Sequence, residues 1–148
     1  MASTITAASA TVTINESIFL NGKDQGGSHT RTIANINESD RRIMTVPTAS
    51  EINLIELNTD NGQGKFVGSA IKYIRITNLD DTNFVRIRIS DGGTHVADIK
   101  VAAGATFMLS TDKIHTGAGA FASFVDMTQI AAQADTAACD IEYCVLSV

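Results

Sequence analysis

Hydrophobic and polar side chains alternate along much of the chain. The clearest example is residues 84–89, where Val85, Ile87 and Ile89 fall on one face and Arg86 and Arg88 fall on the other. A side-chain period of two is the pattern of a β-strand with one buried face. The same pattern predicts strands at residues 71–77, 95–101 and 106–110.

Turn-forming residues separate these four predicted strands. Residues 78–83 are rich in Asn and Asp, whose side chains bond nearby backbone groups and favour turns. Residues 90–93 contain Asp-Gly and Gly-Gly, the dipeptides that suit tight hairpin turns. We therefore expect hairpin connections at residues 78–83 and 90–93.

Residues 139–145 show the same alternation, with Asp140 and Glu142 directed away from the apolar face. We expect this strand to pair with residues 123–131. Residues 121–134 also fit helical spacing in part, so a short helix is the alternative to a strand there. In the first half of the chain, shorter and less regular strands are predicted at residues 11–14, 17–20, 30–36, 41–46 and 51–58.

These segments predict an all-β fold, a single-domain antiparallel β-sandwich that is jelly-roll-like and has about nine or ten short strands. The expected organisation is an extended N-terminal arm at residues 1–12 followed by the β-sandwich domain at residues 13–148. The first ten residues are small and polar and show no period. They form either a disordered tail or an arm that orders by adding a strand to the sheet of a neighbouring molecule.

Charge and hydropathy argue against two classes of partner. Its 148 residues include 11 Lys and Arg against 16 Asp and Glu, which gives a formal net charge of −5. Nucleic-acid binding is disfavoured because it needs clustered cations to neutralise phosphates. No apolar run approaches the roughly 20 residues that cross a bilayer, and the N-terminal residues show no signal-peptide pattern. We therefore expect neither nucleic acid nor a membrane as a partner.

The two cysteines, Cys139 and Cys144, lie five residues apart in one predicted strand. At that spacing they point to opposite faces and lie about 16 Å apart, which is too far for a disulfide. Both are expected to be reduced, which suits assembly in a reducing cytoplasm.

The sequence contains no recognisable catalytic or cofactor-binding motif. The three histidines, His29, His95 and His115, are not paired at metal-ligand spacing. Neither a Gly-x-Ser-x-Gly motif nor a phosphate-binding loop occurs, and the Asp-containing turns lack the ligand spacing of a calcium loop. We expect no enzyme activity, no catalytic residue, no cofactor and no bound metal.

Several segments resemble a pattern found in small virion proteins of tailed bacteriophages: KYIRITN at 72–78, NFVRIRI at 83–89 and AAGATFML at 102–109. The segment DIEY at 140–143 is similar to the last strand of such proteins. The resemblance implies a capsid decoration, or cement, protein on the capsid surface of a virion that is assembled in the host cytoplasm. Its implied partners are the major capsid protein and copies of itself, as a homotrimer or dimer.

Two groups of residues are predicted to contact these partners, one in the arm and one on a basic face. They are Thr4, Ile5, Thr6, Arg75, Arg86 and Arg88. The alternative for the arginines is that they form only the solvated side of a strand.

Other functions stay open at this point. A tail, neck or fibre component would use loops such as residues 21–27 and 58–64 to bind a host-receptor glycan. An enzyme would need a site assembled from scattered residues, and a sandwich with an unrelated host function is also compatible with the sequence.

Overall fold

A computed structural model describes residues 5–58, 60, 62, 64–117 and 119–148. The chain divides at Asn37 into two compact units, residues 1–37 together with Val148, and Glu38–Ser147. The described residues form fifteen strands and a short 3₁₀ helix at Gly68–Ala70. They contain no helix that is long and apolar enough to cross a membrane.

The first unit is a long β-hairpin. Its strands are β1 (Ala8–Glu16), β2 (Phe19–Leu20), β3 (Lys23–Asp24) and β4 (Gly27–Ile36). β1 pairs antiparallel with β4, and β2 pairs antiparallel with β3 at the turn. We call residues 8–36 the arm.

The second unit contains the other eleven strands. They are β5 (Glu38–Val46), β6 (Ile52–Asn58), β7 (Lys65–Val67), β8 (Ile71–Asn78), β9 (Val85–Ser90), β10 (Val96–Val101), β11 (Thr106–Leu109), β12 (Lys113–His115), β13 (Phe124–Asp126), β14 (Gln129–Ala134) and β15 (Cys139–Ser147). One sheet has the order β11-β8-β15-β5, which we call sheet I. The other has the order β10-β9-β14-β6-β7, which we call sheet II.

The strand order is that of a jelly roll. Of the eight strands β5, β6, β8, β9, β10, β11, β14 and β15, the first pairs with the last and the second with the seventh. The third, β8, pairs with the sixth, β11, and the fourth, β9, pairs with the fifth, β10. Two further pairings, β8 with β15 and β9 with β14, join these pairs into the two four-stranded sheets of the roll. Nested pairing of this kind, rolled into two sheets, is the jelly-roll sandwich that the sequence predicts. One pairing differs from an all-antiparallel sheet, because the edge strand β7 runs parallel to β6.

The core lies between the inward faces of sheets I and II. In β9 the apolar positions Val85, Ile87 and Ile89 are at most 3% exposed, as the alternation predicts. In β15, Ile141 and Val145 are fully buried in the same cluster. Full burial of one such side chain contributes about 1.5–3 kcal/mol, so the alternating strands supply most of the driving force for folding.

The pairing of remote strands differs from two of the sequence-based predictions. The C-terminal strand β15 pairs with β5 and β8, and not with residues 123–131. Residues 124–126 and 129–134 are strands, so the helical alternative for that segment is wrong. Alternation identifies which residues face the core, but it carries no information about which strand lies alongside.

The turn after β8 also differs from the hairpin that we expected. β8 belongs to sheet I and β9 to sheet II, so residues 79–84 carry the chain from one sheet to the other. The buried Asn78 side chain donates to the Asn83 and Val101 carbonyls at 2.9 and 3.3 Å. The Asp80 carboxylate accepts the Thr82 backbone N–H at 2.8 Å. These side-chain bonds provide partners for backbone groups where the chain crosses between the sheets.

The predicted arm boundary at residue 12 is too early. The structure extends the arm to residue 36, because β1 finds its partner in β4 and not in either sheet of the sandwich. The sandwich unit correspondingly begins at Glu38 and not at residue 13.

Tyr143 links the core to β5, the edge strand of sheet I. Its side chain is fully buried, and its hydroxyl donates to Asp40 Oδ2 at 2.8 Å. Burial and the neighbouring Asp40 carboxylate raise the pKa of Tyr143 to about 12. The neutral phenol is therefore the form that the folded sandwich holds.

Tyr143→Phe tests this hydrogen bond. We expect the free energy of unfolding at pH 7 to fall by about 1–2 kcal/mol, because Asp40 loses this donor. In the wild-type protein the raised pKa means that stability is kept below the unfolded-state value of about 10 and lost as the pH rises through about 12. Denaturant unfolding between pH 7 and 12 should show a smaller alkaline loss for Y143F. An equal loss in both proteins would contradict this role for Tyr143.

Candidate interaction surfaces

The turn of the arm presents large apolar side chains to solvent. Asn21 and Gly22 have φ angles of +51° and +75°, the pair of left-handed conformations that a two-residue primed turn requires. The turn holds Phe19 and Leu20 beside it at 73% and 55% exposure, with Ile18 at 47%. Side chains of this size are normally buried, so the turn is a candidate contact surface. We call residues 18–20 the arm tip.

The arm tip was not predicted from the sequence, although a signal for it is present. The pattern of residues 21–27 predicts a loop, whereas Lys23–Asp24 is a strand paired with Phe19–Leu20. The dipeptide Asn-Gly is a strong local signal for a β-hairpin, because it suits the two-residue turn that joins the strands. The dipeptide Asn21-Gly22 could therefore have located the turn and the exposed residues next to it.

The arm is amphipathic across its two faces. Register places Val12 opposite Arg31 and Ile14 opposite His29, so these four side chains share one face. The complete set on this apolar face is Ala8, Ala10, Val12, Ile14, Ile33 and Ile36, with Glu16, His29 and Arg31 as its charged or titratable members. The opposite face consists of Ser, Thr and Asn side chains, of which Thr13 and Thr30 hydrogen-bond at 3.2 Å.

Burial of the apolar face decreases toward the arm tip. Ile33 and Ile36 are 6% and 8% exposed, whereas Ile14 is 38% exposed. A two-stranded ribbon alone is at best marginally stable in water, and extra strands or a packing surface are needed to hold it. The distal part of the arm therefore has the properties of a segment that binds another molecule.

The predicted arm contacts lie just before β1. Ile5 and Thr6 are exposed and precede Ala8, the first residue of β1. Thr4 lies outside the described residues. A contact role for these three residues stays a prediction.

The three predicted arginines do not form one face. Arg75 lies on β8 in sheet I, whereas Arg86 and Arg88 lie on β9 in sheet II. The expectation of a single basic face is wrong, because residues 79–84 cross between the sheets and separate two strands that are neighbours in sequence.

Arg75 belongs to an ion-pair cluster on the outer face of sheet I. Its guanidinium pairs with Glu142 and donates to Thr77 Oγ1 at 2.5 Å. Arg41 pairs with the other carboxylate oxygen of Glu142 at 2.8 Å. Hydrogen bonds from Arg75 and then Arg41 lower the pKa of Glu142. The carboxylate thus fixes both guanidinium groups against the sheet.

Arg86 and Arg88 are paired in the same way on sheet II. Arg86 donates to Glu51 and Gln133, both at 2.9 Å. Arg88 donates to both carboxylate oxygens of Asp98, at 2.8 and 2.9 Å. Because their charges are already balanced within the chain, these arginines fit the solvated side of a strand better than a site for an acidic ligand.

A second apolar protrusion belongs to the sandwich unit. The hairpin of β12 and β13 carries Phe124 at 54% exposure, stacked edge-on against His115 with ring centroids 5.5 Å apart. Phe121, in the connecting loop, is 94% exposed. This aromatic group is the second candidate contact surface.

The described residues offer little for covalent or metal chemistry. They contain no group of three or more His, Cys, Asp or Glu side chains placed to hold a metal ion. The free thiols Cys139 and Cys144 both have a raised pKa because of burial, which lowers their thiolate fraction. The His95 imidazole is paired with Asp91 at 2.6 Å, in the turn before β10.

Comparison with known proteins leaves the family unassigned. No protein-family model matches the chain, and no curated protein matches it. A solved structure of Bacillus endospore appendages, described as a novel family of disulfide-linked pili, is similar with a TM-score of 0.46 and 19% sequence identity. That similarity covers 74% of this chain and 83% of the other chain. It does not identify a function for this chain.

Gly22→Val tests the arm as an independently formed hairpin. A Cβ at Gly22 meets no atom within 4 Å, so the cost is the left-handed backbone, about 1–2 kcal/mol for a side-chain-bearing residue. We expect hydrogen-exchange protection in β1 and β4 to fall roughly 5–30-fold while β9 and β14 keep theirs.

Gly27→Val is the matched control, because Gly27 also has open space around it but has no left-handed φ. It should leave the protection of the arm nearly unchanged. Equal effects of the two substitutions, or an equal loss in the sandwich, would show that the turn does not hold the arm.

Proposed function

We propose that this chain is a non-catalytic structural protein of a tailed-phage virion, a capsid decoration protein that binds and stabilises the shell. The observation that carries the proposal is the arm, a two-stranded ribbon with an exposed apolar tip at residues 18–20. Such a ribbon gains stability when a partner covers it, so its surface is suited to binding protein and not to turnover.

The jelly-roll topology of the second unit is compatible with this role. Jelly rolls occur in viral capsid and lectin domains, which gives an argument by analogy and not from the site. The strands that resemble phage virion proteins, residues 72–78, 83–89 and 102–109, are β8, β9 and the edge strand β11 with its preceding turn. The resemblance therefore concerns both sheets of the sandwich.

The proposed partners are the major capsid protein and further copies of this chain, on the capsid surface of a virion assembled in the host cytoplasm. Many identical sites on a shell make a modest contact per copy effective once copies are linked, because the second contact becomes intramolecular. An arm that buries two or three large apolar side chains against a partner supplies a modest contact of this kind.

A tail, neck or fibre component that binds a glycan is the second candidate. The observation in its favour is the exposed aromatic group of His115, Phe121 and Phe124, since aromatic faces can stack on sugar rings. Residues 21–27, predicted to be a loop that binds a ligand, form a hairpin turn with apolar neighbours and suit protein contact better.

Binding to capsids that lack this protein tests the proposal. We expect co-sedimentation that saturates at a fixed ratio to the major capsid protein, together with a higher melting temperature of the shell. Phe19→Ser with Leu20→Ser should weaken binding at least tenfold, because losing the burial of one large apolar side chain costs about 1.5–3 kcal/mol.

Phe121→Ser is the control, since it removes a still more exposed phenylalanine from the other unit. It should leave capsid binding unchanged. Failure of the wild-type protein to bind would overturn the decoration role. A loss confined to F121S would transfer the contact to the aromatic group, and a glycan screen would then be the next measurement.

A further inference from the structure

The outer edge of β1 lacks the features that usually prevent an exposed strand from pairing with another chain. Among the described residues, β1 pairs only with β4, so one of its edges has no strand beside it. Exposed edges in natural sheets are usually protected by Lys, Pro, inward charges or bulges. The β1 sequence ASATVTINE has no Lys, Arg or Pro, and its single charge, Glu16, lies at the end.

The outer edge of β4 is protected by comparison. β4 carries His29 and Arg31, and its pairing with β1 shifts register near Ile33 and Ile36. Asn35, in this irregular segment, has a left-handed φ of +63°. A bulge of this kind interrupts further pairing. Of the two edges of the arm, β1 is the one open to another strand.

We propose that β1 pairs antiparallel with β1 of a second copy of this chain about a two-fold axis. The two arms then form one sheet with the order β4-β1-β1-β4. The inference rests on the part of the proposed function that names copies of this chain as partners, and it specifies how two free copies contact each other without a capsid.

The side-chain pattern of β1 is self-complementary in this arrangement. Pairing centred on Val12 sets Ala10 opposite Ile14 and Thr11 opposite Thr13 of the partner copy. Apolar residues therefore stay beside apolar residues on one face, and Thr stays beside Thr on the other. A slip of one residue would mix the two faces, which excludes every register offset by an odd number of residues.

Charge selects the antiparallel direction. Antiparallel pairing centred on Val12 places each Glu16 opposite Ala8 of the other copy, so the two carboxylates lie about 26 Å apart along the strands at about 3.3 Å per residue. Parallel pairing would set the two Glu16 side chains next to each other, and like charges directly opposite are destabilising.

The pairing also removes the weakness of the arm. A two-stranded ribbon is marginal in water, while three or more strands with one apolar face can be stable. Joining two arms doubles the strand number and makes one continuous apolar face from Val12 and Ile14 of both copies. The unpaired backbone groups of both β1 edges are satisfied at the same time.

Lysines placed at the seam of the full-length protein test the proposal. In T11K/T13K the lysine at position 11 of each copy faces the lysine at position 13 of the other, so sedimentation equilibrium should show dimerisation weakened at least tenfold relative to wild type. The matched control is T30K/T32K, because Thr30 and Thr32 lie opposite Thr13 and Thr11 within one arm. It adds the same charges to the same face one strand farther from the seam, and its dimer should stay within about threefold of wild type at 0.15 M salt.

A charge-reversed pair completes the experiment. T11E/T13E alone should also dimerise at least tenfold more weakly than wild type. An equimolar mixture with T11K/T13K should restore the dimer, because each introduced lysine then faces an introduced glutamate. A monomeric wild-type protein at several hundred micromolar would overturn the inference. So would a dimer that T11K/T13K leaves intact, equal weakening by both lysine variants, or a mixture that stays monomeric. Since no capsid is present, each of these outcomes leaves capsid binding to be decided by its own assay.

Discussion

Every β-strand has backbone donors and acceptors along two edges, and the arrangement of this molecule follows from where those groups find partners. In the sandwich, β15 is paired on both sides, with β5 and with β8. It joins the first strand of the roll to the third, so sheet I forms only when the C-terminal strand is inserted. In the arm, each strand has a single neighbour. The need for backbone hydrogen-bond partners is thus met on both edges of β15, whereas each strand of the arm has one edge without a neighbouring strand.

Local pattern predicts the strands well, because alternation reports which side chains need burial. The alternating residues of β9 and β15 are buried as their sequence indicates. Pairing could not be predicted in the same way. β15 and β5 are separated by about ninety residues of intervening chain, and neither segment's sequence indicates that the other is its partner strand. The separation of Arg75 from Arg86 has the same origin, since a turn within a hairpin and a turn between sheets use the same Asn and Asp chemistry.

The candidate surfaces likewise include one feature that neighbouring residues in the sequence predict and others that depend on residues far apart in the sequence. Asn21-Gly22 is a local signal, and it could have located the arm tip from sequence alone. The ion pairs of Arg86 and Arg88 could not have been found in this way. Glu51 lies just before β6, far from Arg86 in sequence, and Asp98 comes opposite Arg88 only through the β9–β10 register. A basic residue on an exposed strand face is therefore weak evidence for a ligand until its neighbours across the sheet are known. In this chain those neighbours balance the charge.

Charge is also divided unequally between the two units. Within the arm, Lys23 and Arg31 formally cancel Glu16 and Asp24, so the net charge of −5 falls entirely on the residues after Asn37. Sandwich units of like charge repel one another, which disfavours indiscriminate contact between them. The neutral arm adds nothing to that repulsion, and its backbone edge offers directional hydrogen bonds that a charged surface cannot. Association through the arm is thus favoured over association through the sandwich faces.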